Sequence, residues 1–183
     1  TETYSGKSAT VLGLSYQLQQ KGLDIAYAKP LGTCFSESGG TVVEEDVQFI
    51  AHSLSLPTSR VAATMLALDE VNVQKRLRGE DKTDYRQLLK QQYLQISQGD
   101  LVLLEGPGDL TQGNLFDLSL LQVAQALDAV VLLVARYNSL LSAETLLSAK
   151  QLVGDRLVGV VINDIPTEQL EIVDAQLCPF LEK

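Results

Sequence analysis

The most informative stretch of the chain for its fold class is Leu101-Val102-Leu103-Leu104-Glu105-Gly106-Pro107-Gly108. It begins with a continuous apolar run, which is typical of a strand buried on both faces of a parallel sheet. Similar runs occupy 129–135 and 157–162. Helical patterns fill the segments between and after them, at 117–127, 139–152 and 167–178. This alternation predicts an α/β fold with a mostly parallel sheet, and it places Leu101–Leu104 near the centre of that sheet.

The first part of the chain shows the same alternation. A strand is predicted at 24–28, and it ends at Lys29-Pro30 because proline cannot donate to the hydrogen-bond ladder. Residues 31–41 are rich in glycine, serine and threonine, which predicts a loop. Helices are predicted at 6–22, 43–54 and 82–98, with one or two short helices within 57–81. No repeat or linker interrupts this pattern, so residues 1–183 are interpreted as one domain.

Gly6-Lys7-Ser8 stands at the start of the first predicted helix. At such a position the backbone N–H groups and the helix dipole bind phosphate oxygens, a lysine neutralises the terminal phosphates, and a hydroxyl binds Mg²⁺. The tripeptide indicates a phosphate loop, although it is short enough to occur by chance. A phosphate loop normally follows a strand, and the last predicted helix has no strand after it. We therefore expect the first and last strands of the fold to lie outside this sequence, in a longer chain.

Two acidic residues strengthen the phosphate-loop interpretation. Glu105 follows the apolar run of Leu101–Leu104, which places a carboxylate at the carboxyl edge of the sheet, where an acidic partner of Mg²⁺ or water is expected. The alternative is a solvated residue at the end of a strand. Asp46 lies at the start of the helix predicted at 43–54, where it could equally be an acid that complements the helix dipole.

Composition limits the partners and the location of the protein. The 14 basic and 23 acidic residues give a net charge of −9, which argues against nucleic acid or an anionic membrane as the main partner. Cys34 and Cys178 are far apart and form no metal-binding pair, so a reducing cytoplasm is expected. The single histidine, His52, is interpreted as structural or surface, and Cys34 as an ordinary loop residue. No apolar run reaches the length of a membrane span.

With Thr1–Ser8, Lys29-Pro30, Asp46, Glu105-Gly106 and Asn163 considered together, the chain resembles the dethiobiotin synthetase-like branch of the P-loop proteins. Cobyrinic acid a,c-diamide synthase belongs to the same broad group. The chain is most similar to the dethiobiotin-synthetase-like N-terminal domain of phosphotransacetylase-family proteins, in which a further regulatory-type domain follows. The resemblance covers nearly the whole chain and implies a three-layer P-loop NTPase-like fold.

The resemblance also implies roles for individual residues. The cofactors would be ATP and Mg²⁺, with Lys7 and Ser8 at the β- and γ-phosphates. Ser8, Asp46 and Glu105 would bind the metal, and Lys29 would lie near the γ-phosphate and an acyl substrate. Asn163 would contact the adenine edge, since its amide offers the donor and the acceptor that adenine requires. The implied cofactor-binding set is Thr3, Gly6, Lys7, Ser8, Ala9 and Asn163, and the implied catalytic set is Lys7, Lys29 and Glu105.

Three functions remain open at the level of sequence. The favoured one is an ATP- or ADP-binding module that sets the state of an attached phosphotransacetylase-like or regulatory domain. The second is an ATP-dependent ligase that phosphorylates a small carboxylate or carbamate, and the third is an interaction domain that has lost its site. The segment 105–113 departs from dethiobiotin synthetase on the acyl-substrate side, which disfavours dethiobiotin synthesis itself. A homodimer is expected, because dimers are common among the resembling enzymes.

Overall fold

The computed structural model describes residues 4–38 and 41–182, which divide into two compact units. Residues 7–129 form the larger unit, and residues 4–6 with 130–182 form the smaller one. The helices of the larger unit are α1 (Lys7–Gln20), α2 (Glu45–Ser53), α3 (Glu70–Leu77), α4 (Tyr85–Ile96) and α5 (Leu120–Leu127). Its strands are β1 (Ile25–Ala28), β2 (Leu31–Gly32), β3 (Phe35–Ser38), β4 (Thr41–Glu44), β5 (Val61–Ala62), β6 (Leu66–Ala67) and β7 (Leu101–Leu104).

A three-stranded parallel sheet, in the order β5-β1-β7, forms the centre of the larger unit. Alternate residues of β1 point to opposite faces of this sheet. On one face Tyr27 packs with Ile50 and Leu54 of the α2 region, and residues of α1 join them. On the other face Ala26 and Ala28 pack with Ile96 of α4. Helices therefore cover both faces, which confirms the α/β fold with parallel strands between helical layers.

The three-stranded sheet of the larger unit does not contain every strand of the predicted sheet, so the central position of Leu101–Leu104 stays a prediction. The centre of the three-stranded sheet is β1, which is buried at all four positions, whereas β7 pairs with β1 alone among the described strands. Leu101 is exposed and the other three residues of β7 are partly buried. An apolar run indicates a buried strand but carries no information about which neighbours that strand has.

The prediction of a loop at 31–41 and of a helix from residue 43 is also wrong. β2 pairs in parallel with β6, while β3 and β4 pair antiparallel. The threonine and valines at 41–43 favour extended backbone. Glu44 then caps α2, because its carboxylate accepts a hydrogen bond from the backbone N–H of Val47 at 3.1 Å, and the helix begins at Glu45.

Residues 57–81 contain more strand than the sequence indicates. A short 3₁₀ turn at Thr58–Arg60 precedes β5 and β6, and only α3 in this segment is an α-helix. The two strands have two residues each, which is too short to produce a recognisable pattern. In α1, Val11 and Leu12 pack against the core, whereas Leu14 is exposed.

The smaller unit contains the parallel pair β8 (Val131–Arg136) and β9 (Leu157–Asn163) with helix α6 (Ser142–Val153) between them in sequence. Its C-terminal segment is helical, as predicted, but irregular: a 3₁₀ turn at Thr167–Gln169, α7 (Leu170–Ile172), a π-helical segment at Val173–Leu177 and α8 (Cys178–Leu181). Tyr137, Val173 and Leu177 form its buried cluster. Within the described ranges, no helix is both long and apolar enough to cross a membrane.

Candidate phosphate and metal site

Glu105 is the central residue of the candidate site in the larger unit. It follows β7, and its backbone N–H donates to the carbonyl of Ala28 at 2.9 Å, which continues the pairing of β7 with β1. The residue is only 5% exposed. The Ser8 hydroxyl donates to Oε1 of Glu105 and the Tyr27 hydroxyl donates to Oε2, each at 2.8 Å. The prediction that Ser8 and Glu105 lie together is consistent with this contact.

The ionisation of this cluster follows from its burial. Burial raises the pKa of Glu105 above its ordinary value, although the hydrogen bonds from Tyr27 and Ser8 and the charge of Lys29 lower it. Burial, together with the charge of Glu105, also raises the pKa of Tyr27 strongly, so the phenol keeps its proton and remains a donor. The site thus holds a carboxylate whose charge the protein compensates incompletely.

Lys7, the first residue of α1, lies beside the segment that follows Glu105. Its Nζ donates to the carbonyl of Gly108 at 3.4 Å. The segment is folded by its own side chains, since Oδ1 of Asp109 accepts from the backbone N–H groups of Thr111 and Gln112, and Gln112 accepts from the N–H of Gly108. Burial raises the pKa of Asp109, but these hydrogen bonds and the charge of Lys7 outweigh it, so the net shift is downward.

Lys29 lies between two carboxylates. It follows β1 by one residue, is only 5% exposed, and forms ion pairs with Glu44 and Asp46. Glu44 is buried, whereas the side chain of Asp46 is partly exposed. Burial lowers the pKa of Lys29, but the hydrogen bonds to Asp46 and Glu44 outweigh it, and the net shift is upward. In this structure the carboxylate of Asp46 is thus bound to the ammonium of Lys29.

The predicted residues of the smaller unit form a separate contact. The side-chain amide of Asn163, at the end of β9, donates to the carbonyl of Ser5 at 3.1 Å. Gly6 has φ +96°, and a Cβ on it would lie 2.3 Å from Nδ2 of Asn163, so glycine is required both by the backbone and by the space. Tyr4 also has a positive φ and is 91% exposed. Asn163 thus supports the backbone of the predicted phosphate loop.

The remaining predicted residues have plainer surroundings. Ala9 lies in the first turn of α1 with an exposed side chain, and Thr3 is outside the described residues. His52 is exposed in the last turn of α2, in agreement with a surface role. Cys34 is exposed, and its thiol contacts the carboxylate of Glu45 at 3.2 Å. That hydrogen bond raises the pKa of Cys34, which is the opposite of what a reactive thiolate needs.

The donor set can be tested against a magnesium ion. Ser8 and Glu105 bring a hydroxyl and a carboxylate oxygen within 2.8 Å of each other, and both are the hard oxygen ligands that Mg²⁺ prefers. Within residues 4–38 and 41–182, no three His, Cys, Asp or Glu side chains converge as a metal cluster. Magnesium at a phosphate loop needs few protein ligands, because phosphate oxygens and water complete its shell. Ser8 and Glu105 therefore fit this ion, and Asp46 would have to leave Lys29 to join them.

The sequence analysis did not identify Tyr27, which donates to Glu105, or Glu44, which pairs with Lys29. Tyr27 lies two positions before Lys29, so both fall on one side of an extended strand, and this spacing is the signal that could have identified it. Glu44 was visible as the first of three consecutive acids before a helical pattern, in the position of a cap.

One comparison with known proteins bears on this geometry. A family model described as an AAA domain, AAA_26, matches residues 1–180. This family is a group of P-loop NTPases related to the dethiobiotin synthetase-like proteins. The match includes both the loop before α1 and the segment that ends at Asn163, so it covers every residue of the candidate site.

Proposed function

The chain belongs to the AAA_26 family of P-loop NTPases, and we propose that it is a MgATP- or MgADP-binding module whose nucleotide state is transmitted to an attached or associated domain. The resemblance described above makes a phosphotransacetylase-like or regulatory domain the expected recipient, in a cytoplasmic protein and with a homodimer as the expected assembly.

The observation that carries this proposal is the pairing of Ser8 with Glu105 at the start of α1. The N-terminus of a helix attracts anions through its unpaired N–H groups and its dipole. Lys7 and Ser8 are the first two residues of that helix, so an ammonium and a hydroxyl are placed where phosphate oxygens would bind. Glu105 supplies one carboxylate beside them, at 2.8 Å from the Ser8 hydroxyl. A cation bound there would neutralise phosphate charge and would draw Ser8 and Glu105 into its shell.

Adenine recognition is assigned to Asn163 in this proposal. Its side chain is exposed and donates one N–H to the carbonyl of Ser5. That contact fixes the plane of the amide, which an adenine edge requires of a side chain that must both donate and accept. The fixed amide favours a specific base over a general phosphate ligand.

Lys29 favours a binding module over a phosphoryl-transfer enzyme. A lysine that stabilises a transferring phosphoryl group must meet its oxygens with its charge. Here two carboxylates, Glu44 and Asp46, already bind the ammonium of Lys29, and the pair with Glu44 is buried. Catalysis by Lys29 would require at least one of these ion pairs to break, so nucleotide binding without turnover is the simpler function of this arrangement.

A ligase-type reaction is the second candidate, and the position of Lys29 at the carboxyl end of β1 favours it. In that reaction an oxygen of a small carboxylate or carbamate would attack the γ-phosphorus, the bond to the β-γ bridging oxygen would break, and ADP would leave. Lys7 would bind the phosphates, and Lys29, once released from Asp46, would bind the attacked phosphoryl group. Magnesium, when bound, would lower the charge on the leaving oxygens.

Calorimetry on the full-length protein tests the proposal. We expect MgATP and MgADP to bind, and Lys7→Ala to weaken that binding at least about tenfold, because it removes the charge that meets the phosphates. Lys90→Ala, a change at an exposed lysine of α4, is the matched control. Equal affinity in Lys7→Ala and in the control would refute the phosphate site.

Phosphate release separates the two candidate functions. The binding module should show no steady release from ATP. Steady release that is lost in Glu105→Gln, while nucleotide still binds, would establish the enzyme instead.

A further inference from the structure

We propose that Tyr27 is a positioning residue that restricts Glu105 to one available carboxylate oxygen and thereby makes the site selective for Mg²⁺ over Ca²⁺. This inference rests on the proposed function, since it concerns the cation that would accompany the nucleotide. It concerns a residue of the central strand that carries no sequence motif.

The first step is that the two oxygens of Glu105 are not equivalent. Oε1 accepts a hydrogen bond from Ser8, a residue of the helix start where phosphate would bind. Oε2 accepts a hydrogen bond from Tyr27, a residue that is completely buried. One oxygen therefore faces the candidate metal site and the other is occupied by the core of the protein.

The second step is that Tyr27 cannot easily move away. It lies in β1, which is hydrogen-bonded on both sides, and it pairs in register with Val61 and Leu103. Its ring packs with Ile50 and Leu54. Glu105 is attached to the same strand through its N–H bond to Ala28, so the phenol and the carboxylate are held by one hydrogen-bonded ladder. The contact between them is a property of the sheet and not of a mobile loop.

The third step is the coordination chemistry of the two cations. Mg²⁺ requires nearly octahedral geometry with short bonds and takes one oxygen from a carboxylate, together with phosphate oxygens and water. Ca²⁺ accepts six to eight oxygens at longer distances and gains from carboxylates that bind through both oxygens. A carboxylate that accepts a hydrogen bond from a buried phenol on one oxygen has a single oxygen left for a metal. This matches the coordination of Mg²⁺, whereas Ca²⁺ cannot bind through both oxygens.

A purely structural role for Tyr27 makes a different prediction. A buried phenol needs a hydrogen-bond partner, and Glu105 would then serve the core. Loss of the hydroxyl would in that case lower stability and weaken binding with every cation to the same degree. The ratio of nucleotide affinities in Mg²⁺ and Ca²⁺ distinguishes the two roles.

The test is nucleotide calorimetry on the full-length protein with Mg²⁺, with Ca²⁺ and with EDTA. In Tyr27→Phe we expect ATP affinity in Mg²⁺ to fall about tenfold, which is typical for loss of a residue that orients a metal ligand. Affinity in Ca²⁺ should fall by less than about threefold, because the freed oxygen can now bind that ion. Affinity in EDTA should not change.

Tyr85→Phe is the matched control. Tyr85 is also buried, and its hydroxyl also donates to a carboxylate, that of Asp81, at 3.1 Å. Tyr85 lies on α4, outside the candidate site. In Tyr85→Phe the ATP affinities in Mg²⁺, in Ca²⁺ and in EDTA should therefore remain those of the wild type. Thermal unfolding of both variants checks that they are folded.

The outcomes distinguish a failure of the proposed function from a failure of the inference about Tyr27. Absence of ATP binding by the wild type would overturn the proposed function and this inference with it. Binding by the wild type with an unchanged Mg²⁺-to-Ca²⁺ ratio in Tyr27→Phe would overturn this inference alone. If Tyr27→Phe does not fold, the ATP affinities of the wild type are compared in Mg²⁺ and in Ca²⁺. Equal affinities would refute the selectivity, and an affinity about tenfold or more higher in Mg²⁺ supports it.

Discussion

Removal of the charge on Glu105 should stabilise the protein when metal and nucleotide are absent. Glutamine has the same shape, and its amide can accept from one of the hydroxyls of Tyr27 and Ser8 while it donates to the other. What disappears is a buried carboxylate whose pKa is raised by burial. Glu105→Gln should therefore increase the free energy of unfolding, which is the reverse of what most substitutions at buried residues do.

The magnitude follows from two opposing contributions. Burying a carboxylate has an effective penalty of several kcal/mol. Each of its two hydrogen bonds, as bonds to a charged group, returns about 1.5–3 kcal/mol. The net shift of the Glu105 pKa is upward, so the penalty of burial exceeds what the hydrogen bonds return. One pKa unit corresponds to about 1.4 kcal/mol, so Glu105→Gln should recover on the order of 1 kcal/mol.

The way in which this stability difference depends on pH follows from the direction of the Glu105 pKa shift. A carboxyl group whose pKa is raised in the folded state is most favourable to folding below its unfolded pKa, and it becomes less favourable as the pH rises through the folded pKa. The advantage of Glu105→Gln should accordingly be small at about pH 4, and it should grow as the pH rises from the unfolded carboxyl pKa of about 4.3 toward about pH 8. Urea unfolding in EDTA across this range measures it, with the exposed Glu168→Gln as the control.

Two results would contradict this reasoning. One is a variant that is less stable than the wild type at pH 8, and the other is a stability difference that does not change with pH. Addition of MgATP should reverse the order, since the wild type retains the charge that holds the cation and therefore gains more stability through binding than the variant does.

Three further changes test other parts of the site. Lys29→Met should lower the free energy of unfolding by about 3 kcal/mol, because it leaves Glu44 buried without its ammonium; Lys90→Met is the control in urea unfolding. Because the pKa of Lys29 is raised, this loss should persist up to its unfolded pKa near 10.4 and fade only above it. A loss below about 1 kcal/mol would refute the buried pair. Gly6→Ala should cost about 2 kcal/mol and abolish ATP binding, because its Cβ would displace Asn163. Gly22→Ala has a similar positive φ but open space, so equal losses in thermal unfolding would count against the clash. The Cys34 thiol should react with iodoacetamide more slowly than glutathione does at pH 7.5, because Glu45 raises its pKa. If the protein is labelled as fast as glutathione, and Cys34→Ser is not labelled, this expectation is wrong.

The fold class and the main candidate residues of the phosphate and metal site could be predicted from the amino-acid sequence. Apolar runs and helical periodicity are local patterns, and they predicted β1, β7, β8, β9 and the helices near their observed positions. Gly6-Lys7-Ser8 and the acid after β7 are also local, because a phosphate loop needs a helix start and a metal ligand needs the end of a strand. These features can be recognised without knowing which strands are neighbours.

Which strands pair with each other, and which side chains meet in the site, depends on the tertiary structure. Two-residue strands such as β5 and β6 exist because a neighbouring strand pairs with them, and no residue pattern encodes that pairing. Tyr27 is separated from Glu105 by 78 positions, and parallel pairing of β1 with β7 brings them together. The family resemblance implied that Asp46 binds a metal, and the ion pair of Asp46 with Lys29 in the structure was not predicted. A carboxylate binds the nearest cation, and the distance between the two groups depends on how segments far apart in the chain pack together.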